Sequence, residues 1–230
     1  MEASNNYQIL PYVLGYTQEN AYKLTAEETE TIARLLETYN GITEQFPVSL
    51  GQAESKKERD SLQDANDSSL VYGEIDFVSF AEIFATIKSR YNFPQDGMFY
   101  DLGSGVGKAV IAAALLHPFQ ECIGIEKLGS LHDAAVRLKD QYSALSLPTK
   151  VSFYNTDIFE YDWSDASFLF ANSTCFDFEM MARIGNIPVK PGTLGVSFTK
   201  PFYREEWKIL ESIKKPMSWG PATVYIQEKS

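Results

Sequence analysis

The ten residues Phe99-Tyr100-Asp101-Leu102-Gly103-Ser104-Gly105-Val106-Gly107-Lys108 constrain the fold of this chain more than any other feature. Apolar residues feed the run, three glycines turn it, and a helical pattern follows. It reads as a strand, a tight loop and a helix N-terminus. Gly103, Gly105 and Gly107 permit positive φ and leave room for a ligand to press against backbone, while free N–H groups at the helix start favour a polar or anionic group. A nucleotide-like ligand is therefore expected on this loop. Glu126 closes a second apolar run, Cys122-Ile123-Gly124-Ile125, and so stands at a strand tip where a carboxylate can accept both ribose hydroxyls.

Asp101 separates two readings of the loop. A loop wrapping a pyrophosphate would not carry a carboxylate two positions before its first glycine, because like charges repel in a partly dry site. S-adenosylmethionine has no phosphate, and its amino acid end presents an ammonium that welcomes a carboxylate. The order D-L-G-S-G-V-G followed by an acidic strand end thus predicts S-adenosylmethionine, with S-adenosylhomocysteine as product, rather than NAD.

Around this loop the chain alternates between helical and strand patterns, the signature of a parallel sheet. Helices are expected near Val106 to Leu116 and Leu131 to Leu145. Strands are expected to Glu126, at Val151 to Tyr154, Ser167 to Ala171, Leu194 to Phe198 and Ala222 to Gln227, with helical segments around Phe178 to Ile184 and Arg204 to Ile213. The predicted fold is α/β, a seven-stranded Rossmann-like sandwich of the class I methyltransferase type, with its ligand at the carboxyl ends of the strands. Upstream, Thr25 with Glu28 makes a capping box before Ile32, Leu35, Leu36 and Tyr39, so an amphipathic helix is expected there. Phe80, Ile83, Phe84, Ile87 and Tyr91 mark a second helix. Between them, Gly51 to Ser69 is polar, with only Ala53, Leu62 and Ala65 apolar, and is expected to be a flexible connector or a substrate-dependent loop. Residues 1–70 are thus read as a small helical lobe with its connector, and 71–230 as the catalytic domain.

The chain of 230 residues has a net charge of −11 and two cysteines, Cys122 and Cys175. Lysine pairs at Lys56-Lys57 and Lys214-Lys215 are too small to clamp a phosphate backbone, so strong intrinsic nucleic-acid binding is not expected. A basic protein would be attracted. The polar start Met1-Glu2-Ala3-Ser4-Asn5-Asn6 lacks a secretory pattern and no apolar stretch is long enough for a bilayer, so an intracellular protein without membrane contact is expected.

Asp157 falls just past the third strand of the alternation, where it can accept from an adenine amino group or cap a turn. Asn172 follows Phe168-Leu169-Phe170-Ala171 and is expected beside the reacting methyl, where an amide can orient an incoming amine; on its own it could also cap a turn. Ser173-Thr174-Cys175 follows it in place of the two prolines common in enzymes that methylate nucleobases, which disfavours a nucleobase substrate. No metal ligand set is assigned.

Taken together, Val71-Tyr72-Gly73-Glu74, the glycine loop, Glu126, Asp157, the strand ending in Asn172, Lys200-Pro201-Phe202 and Ser218-Trp219 resemble the catalytic domain of Dot-one type (disruptor of telomeric silencing) histone lysine methyltransferases, in order from about Tyr72 to Tyr225. The resemblance implies a non-SET enzyme that methylates a histone lysine, and a nuclear location. It implies that Tyr72, Glu74 and Ile75 belong to a loop closing over the cofactor, that Asp101 and Gly103 hold its methionine end, and that Lys108 sits at its edge. Glu126 would take the ribose, Asp157 and Ile158 the adenine, and Asn172 with Tyr225 would border the lysine channel. Phe176, Phe202, Trp219 and Tyr225 are the expected aromatic walls. The alternatives are methylation of another protein, an RNA or a small molecule, and an inactive cofactor-binding module.

Overall fold

The structure is a computed structural model that describes residues 22–61, 68–93, 95–217 and 220–230. Ser218, Trp219 and the polar start of the chain, which carry readings above, lie outside the described residues. Helix α1 (Ala26–Thr43) opens with the expected capping box: Glu28 N–H donates to Thr25 Oγ1 at 3.1 Å and Thr25 N–H to the Glu28 carboxylate at 2.7 Å. Helix α2 (Val48–Ser61) follows. Helix α3 (Phe77–Arg90) starts at Asp76, whose side chain accepts from Ser79 N–H, and buries Phe80, Ile83, Phe84 and Ile87, the face their spacing predicts.

Strand β1 (Met98–Leu102) then feeds helix α4 (Lys108–Leu116). The alternation continues through β2 (Glu121–Glu126), α5 (Gly129–Ser143), β3 (Lys150–Asn155), β4 (Phe168–Ala171), α6 (Phe178–Asn186) and β5 (Leu194–Phe198). The hairpin β6 (Trp207–Met217) and β7 (Gly220–Lys229) ends the chain. The seven strands are ordered β3-β2-β1-β4-β5-β7-β6. Strands β1 to β5 are mutually parallel, and β7 inserts antiparallel between β5 and β6. Strand order reverses at β1, which pairs with β2 on one side and β4 on the other, and a crevice opens outside the carboxyl ends of strands at such a switch point.

Helices cover both faces of the sheet, so its central strands are buried on both sides and read as unbroken apolar runs. Phe168 and Phe170 of β4 pack into the core beneath α3 and α4. Their neighbours Leu169 and Ala171 join the opposite core with Trp163, Met181 and Ile184.

Two expectations are corrected. The helix expected over Arg204 to Ile213 is absent: residues 204–206 form a turn and strand follows from Trp207, where a register irregularity between Ile209 and Glu211 in the β6–β7 ladder interrupts the alternation of apolar residues, and the resulting Trp207, Leu210, Ile213 spacing imitates a helical face. The start of the expected flexible connector is the last part of helix α2, which docks through Gly51 and Ser55, residues that give no hydrophobic periodicity.

Candidate functional site

The glycine loop adopts the backbone its composition requires. Gly105 and Gly107 have φ of +54° and +85°, and Gly107 is the left-handed residue from which α4 begins. The loop is anchored on β2, where Ile125 C=O accepts from both Gly103 and Ser104 N–H at 3.0 Å. A Cβ on Gly105 would stand 2.9 Å from Tyr72 Cδ2, so the absence of a side chain there is what admits the Tyr72 ring.

Two buried carboxylates flank the loop. Glu126, at the tip of β2, accepts from Gly105 N–H and from Leu128 N–H, each at 2.8 Å. Burial pushes its carboxyl above the usual range, against the opposing pull of these backbone donors. An ionised carboxylate offers about four lone-pair sites, so acceptor capacity is left for a hydroxyl donor. Asp101 is fully buried, and its Oδ1 has no hydrogen-bond partner among the described residues. Burial, then the negative Glu126, pushes its carboxyl well above the usual range. Such a group lacks a cation, and an ammonium delivered by a ligand would supply both the charge and the missing donors.

A cleft of about 390 Å³ opens beside the loop and is lined by Tyr72, Gly103, Gly105, Glu126, Asp157, Ile158, Asn172 and Phe176 among others. An adjoining chamber of about 30 Å³ is bounded by Asp101, Glu74, Ile75, Lys108 and, from the shared wall, Tyr72, Gly105 and Asn172. The larger space thus meets the residues expected to take ribose and adenine, and the smaller one those expected at the methionine end. In the chamber, Lys108 Nζ pairs with Glu74 Oε2 at 2.8 Å, and Tyr72 OH donates to the other Glu74 oxygen. Asn172 Nδ2 donates to Gly73 C=O at 2.8 Å, which joins the end of β4 to the Tyr72-Gly73-Glu74 segment across the cleft. Asp157 serves in part as a turn cap: Oδ1 accepts from Phe159 N–H at 3.0 Å, while Oδ2 lies 3.8 Å from Lys127 Nζ at the rim.

Two expected wall residues are not brought to the cleft. Phe202 is buried against Trp207, ring centroids 4.9 Å apart. Tyr225 sits in the middle of β7 between Ser197 and Ser212, half-buried, and lines neither space. Conversely, α6 supplies wall residues that the sequence reading did not assign. Glu179, Met180 and Arg183 face the cleft, and the Arg183 guanidinium lies 3.7 Å over the Phe159 ring. Their 3–4 residue spacing just after the Asn172 strand end was the available signal. Glu58 of α2 was also missed: its carboxylate accepts from Gly129 N–H at 2.9 Å and Ser130 N–H at 2.8 Å, capping α5, whose own N-cap Leu128 has no side-chain acceptor.

Comparison with known proteins agrees with this geometry. The family described as Histone methylation protein DOT1 matches residues 55–217. A histone-lysine N-methyltransferase, H3 lysine-79 specific, from Debaryomyces hansenii is 30% identical over 150 residues, 58% of this chain and 12% of that protein. The chain therefore spans only about an eighth of the length of that curated relative. Among solved structures, MtNAS in complex with MTA and tNA aligns with a TM-score of 0.51 at 12% identity, covering 90% of this chain and 78% of that one. The tRNA methyltransferase TrmK of B. subtilis aligns at 0.50 with 15% identity, covering 69% and 67%. The mitomycin 7-O-methyltransferase MmcR aligns at 0.50 with 14% identity, covering 88% and 67%. These likenesses establish the seven-stranded methyltransferase-type fold. No helix among the described residues is long and apolar enough to cross a membrane.

Proposed function

The chain belongs to the DOT1 family of histone methylation proteins, and from that membership we propose that it transfers the methyl group of S-adenosylmethionine to a histone lysine side chain. The observation that carries this reading is that the family match at 55–217 runs through all the residues lining the cleft and its adjoining chamber, including the orphaned Asp101 carboxylate of the chamber. That carboxylate suits the ammonium of the cofactor's methionine end, Glu126 the two ribose hydroxyls, and Asp157 with Ile158 the adenine. Lys108, close to Glu74, is available to the methionine carboxylate. A histone is the basic partner that a chain of net charge −11 attracts, and it implies a nuclear site of action.

When bound, the cofactor supplies an electrophilic methyl on a positively charged sulfur. The residues around the cleft would have to present the acceptor amine neutral and close to that methyl, with water excluded. A lysine of pKa about 10.4 requires about 4.6 kcal/mol to be deprotonated at pH 7. Desolvation beside Phe176 lowers that requirement by disfavouring the ammonium. Asn172, held by Gly73 C=O through one N–H and with its Oδ1 accepting from Thr174 Oγ1 at 3.5 Å, keeps its second N–H and one carbonyl lone pair to orient the amine.

Radiolabelled S-adenosylmethionine offered separately with nucleosomes, free histones, RNA and small-molecule extract tests the proposal, with mass spectrometry locating the label. Methyl-lysine in a histone is expected. Label confined to RNA or a small molecule would overturn the substrate while sparing the cofactor reading. Asn172→Ala should lower turnover at least tenfold and leave most S-adenosylhomocysteine affinity in place; equal loss of both would move Asn172 from the acceptor to the cofactor pocket.

A further inference from the structure

Three residues of α2, Gly51, Ser55 and Glu58, are spaced i, i+4, i+7 and so lie along one face of the helix. Each touches a different segment beside the cleft. A Cβ on Gly51 would stand 2.6 Å from Tyr72 Cζ, so the Tyr72 ring is wedged between two glycines, its Cε1 edge against Gly51 and its Cε2 edge against Gly105 of the loop. Ser55, fully buried, donates through Oγ to Leu70 C=O at 2.8 Å, two residues before Tyr72. Glu58 holds the α5 N-terminus through Gly129 N–H, Ser130 N–H and Ser130 Oγ, the last at 2.5 Å. Its burial pushes the carboxyl up, but the bonds from Ser130 and Gly129 outweigh that and keep it below the usual range, so it is ionised at neutral pH. The residue before Gly129 is Leu128, whose N–H donates to Glu126.

We infer that Gly51, Ser55 and Glu58 are positioning residues for the cofactor cleft: α2 sets the Tyr72 wall from one end of its inner face and the Glu126 wall from the other. The inference rests on the cofactor assignment proposed above. The geometry has a specific cause. Tyr72 stands on the segment before α3 and Glu126 at the tip of β2; Gly105, on which the ring packs and whose N–H donates to Glu126, ties the two from the loop side, and α2 braces the segments behind both from the other. The α2 face contacts both supporting segments within two helical turns. What α2 adds to the loop-side contact is a second support behind each wall.

Isothermal titration with S-adenosylhomocysteine, accompanied by thermal melts, tests this. Gly51→Ala gains helix propensity, which offsets part of what displacing the Tyr72 ring costs, so the melting temperature should fall only a few degrees. Affinity should nevertheless fall at least tenfold, because the new methyl expels the Tyr72 ring. In a Tyr72→Ala background the same substitution should change affinity less than twofold, an outcome that general damage to α2 would not produce. Glu58→Gln should weaken binding about tenfold and accelerate hydrogen exchange at the Gly129, Ser130 and Leu128 amides, while Glu58→Asp, which keeps the charge, should recover part of the loss. Wild-type affinity in both Gly51→Ala and Glu58→Gln would overturn the inference and leave the cofactor reading standing. A wild-type protein that takes no S-adenosylhomocysteine would overturn that reading and the inference with it.

Discussion

Helices α3 and α2 are both fourteen residues long, and they attach to the same body by opposite means. Nine residues of α3 are buried, among them Phe77, Phe80, Ile83, Phe84 and Ile87, and its ring contacts run through Phe93, Phe119, Phe168 and Phe170. Only Gly51 and Ser55 of α2 are buried, and apart from the partly buried Leu50 its attachments are a glycine that admits a ring and side-chain acceptors and donors meeting backbone groups. Apolar burial is roughly proportional to area and indifferent to direction, so it makes α3 strong and tolerant of small shifts. Hydrogen bonds weaken steeply once distance or angle is lost, so α2 contributes less free energy but more positional precision. One attachment secures the fold and the other adjusts the site.

The largest effect should come from breaking the apolar attachment. Phe84 is almost fully buried and touches Phe80, Phe93, Phe119 and Phe168. Phe84→Ala removes that area and leaves a cavity, which should cost about 3–5 kcal/mol in urea denaturation. A loss below 1 kcal/mol would mean that α3 is not the structural anchor and would remove the contrast with α2.

An intermediate effect, with opposite signs for stability and binding, is expected at Asp101. Its folded-state pKa is raised far above the value of about 3.9 of an unfolded chain, so the folded protein retains that proton to higher pH. The stability tied to the protonated form is complete below about pH 3.9 and is lost as pH climbs from there through the raised folded value. Asp101→Asn keeps the shape without the charge. The ligand-free variant should be about 1–3 kcal/mol more stable at neutral pH, with a flatter stability profile between pH 4 and 7. It should also lose about 1.5–3 kcal/mol of S-adenosylhomocysteine affinity, the range for a hydrogen bond to a charged group. If the substitution destabilised the ligand-free protein, Asp101 would belong with the structural contacts and not with the site.

The same contrast explains what could be read in the sequence. The parallel strands, the faces of α1 and α3 and the glycine loop were legible because burial writes a period into the residues and positive φ selects glycine. Glu126 was legible because it ends an apolar run, which fixes a carboxylate at a strand tip, and Asp101 because it stands two positions before the first glycine of the loop. Helix α2 was not, since its partners are the Leu70 carbonyl and the Gly129 and Ser130 amides, groups that every residue possesses and that no side-chain pattern announces. Strand β6 was misread because its irregularity at Ile209 and Glu211 spaces Trp207, Leu210 and Ile213 like a helix. Phe202 and Tyr225 failed as wall residues for a related reason. An aromatic in a motif can as well fill a core, and Phe202 does so against Trp207 while Gln227 Oε1 accepts from its N–H at 2.8 Å.

The smallest effect is expected on the outer face of α2, and it sharpens the distinction between the two sides of one helix. Lys56 pairs with Asp60 four residues on at 2.6 Å, but the two side chains are 71% and 55% exposed, and Lys56 touches neither Tyr72 nor the α5 N-terminus. An exposed pair at this spacing contributes about 0.3–0.5 kcal/mol and is screened by salt. Lys56→Ala should therefore shift the unfolding free energy by no more than about 0.5 kcal/mol. It should leave S-adenosylhomocysteine affinity within twofold of wild type, even though it lies only two residues from Glu58. If affinity instead fell as far as expected for Glu58→Gln, the response of the cleft would not depend on which face of α2 is altered. The helix would then act on the site through its overall stability or charge, and the residue-by-residue support assigned to Gly51, Ser55 and Glu58 would have to be abandoned.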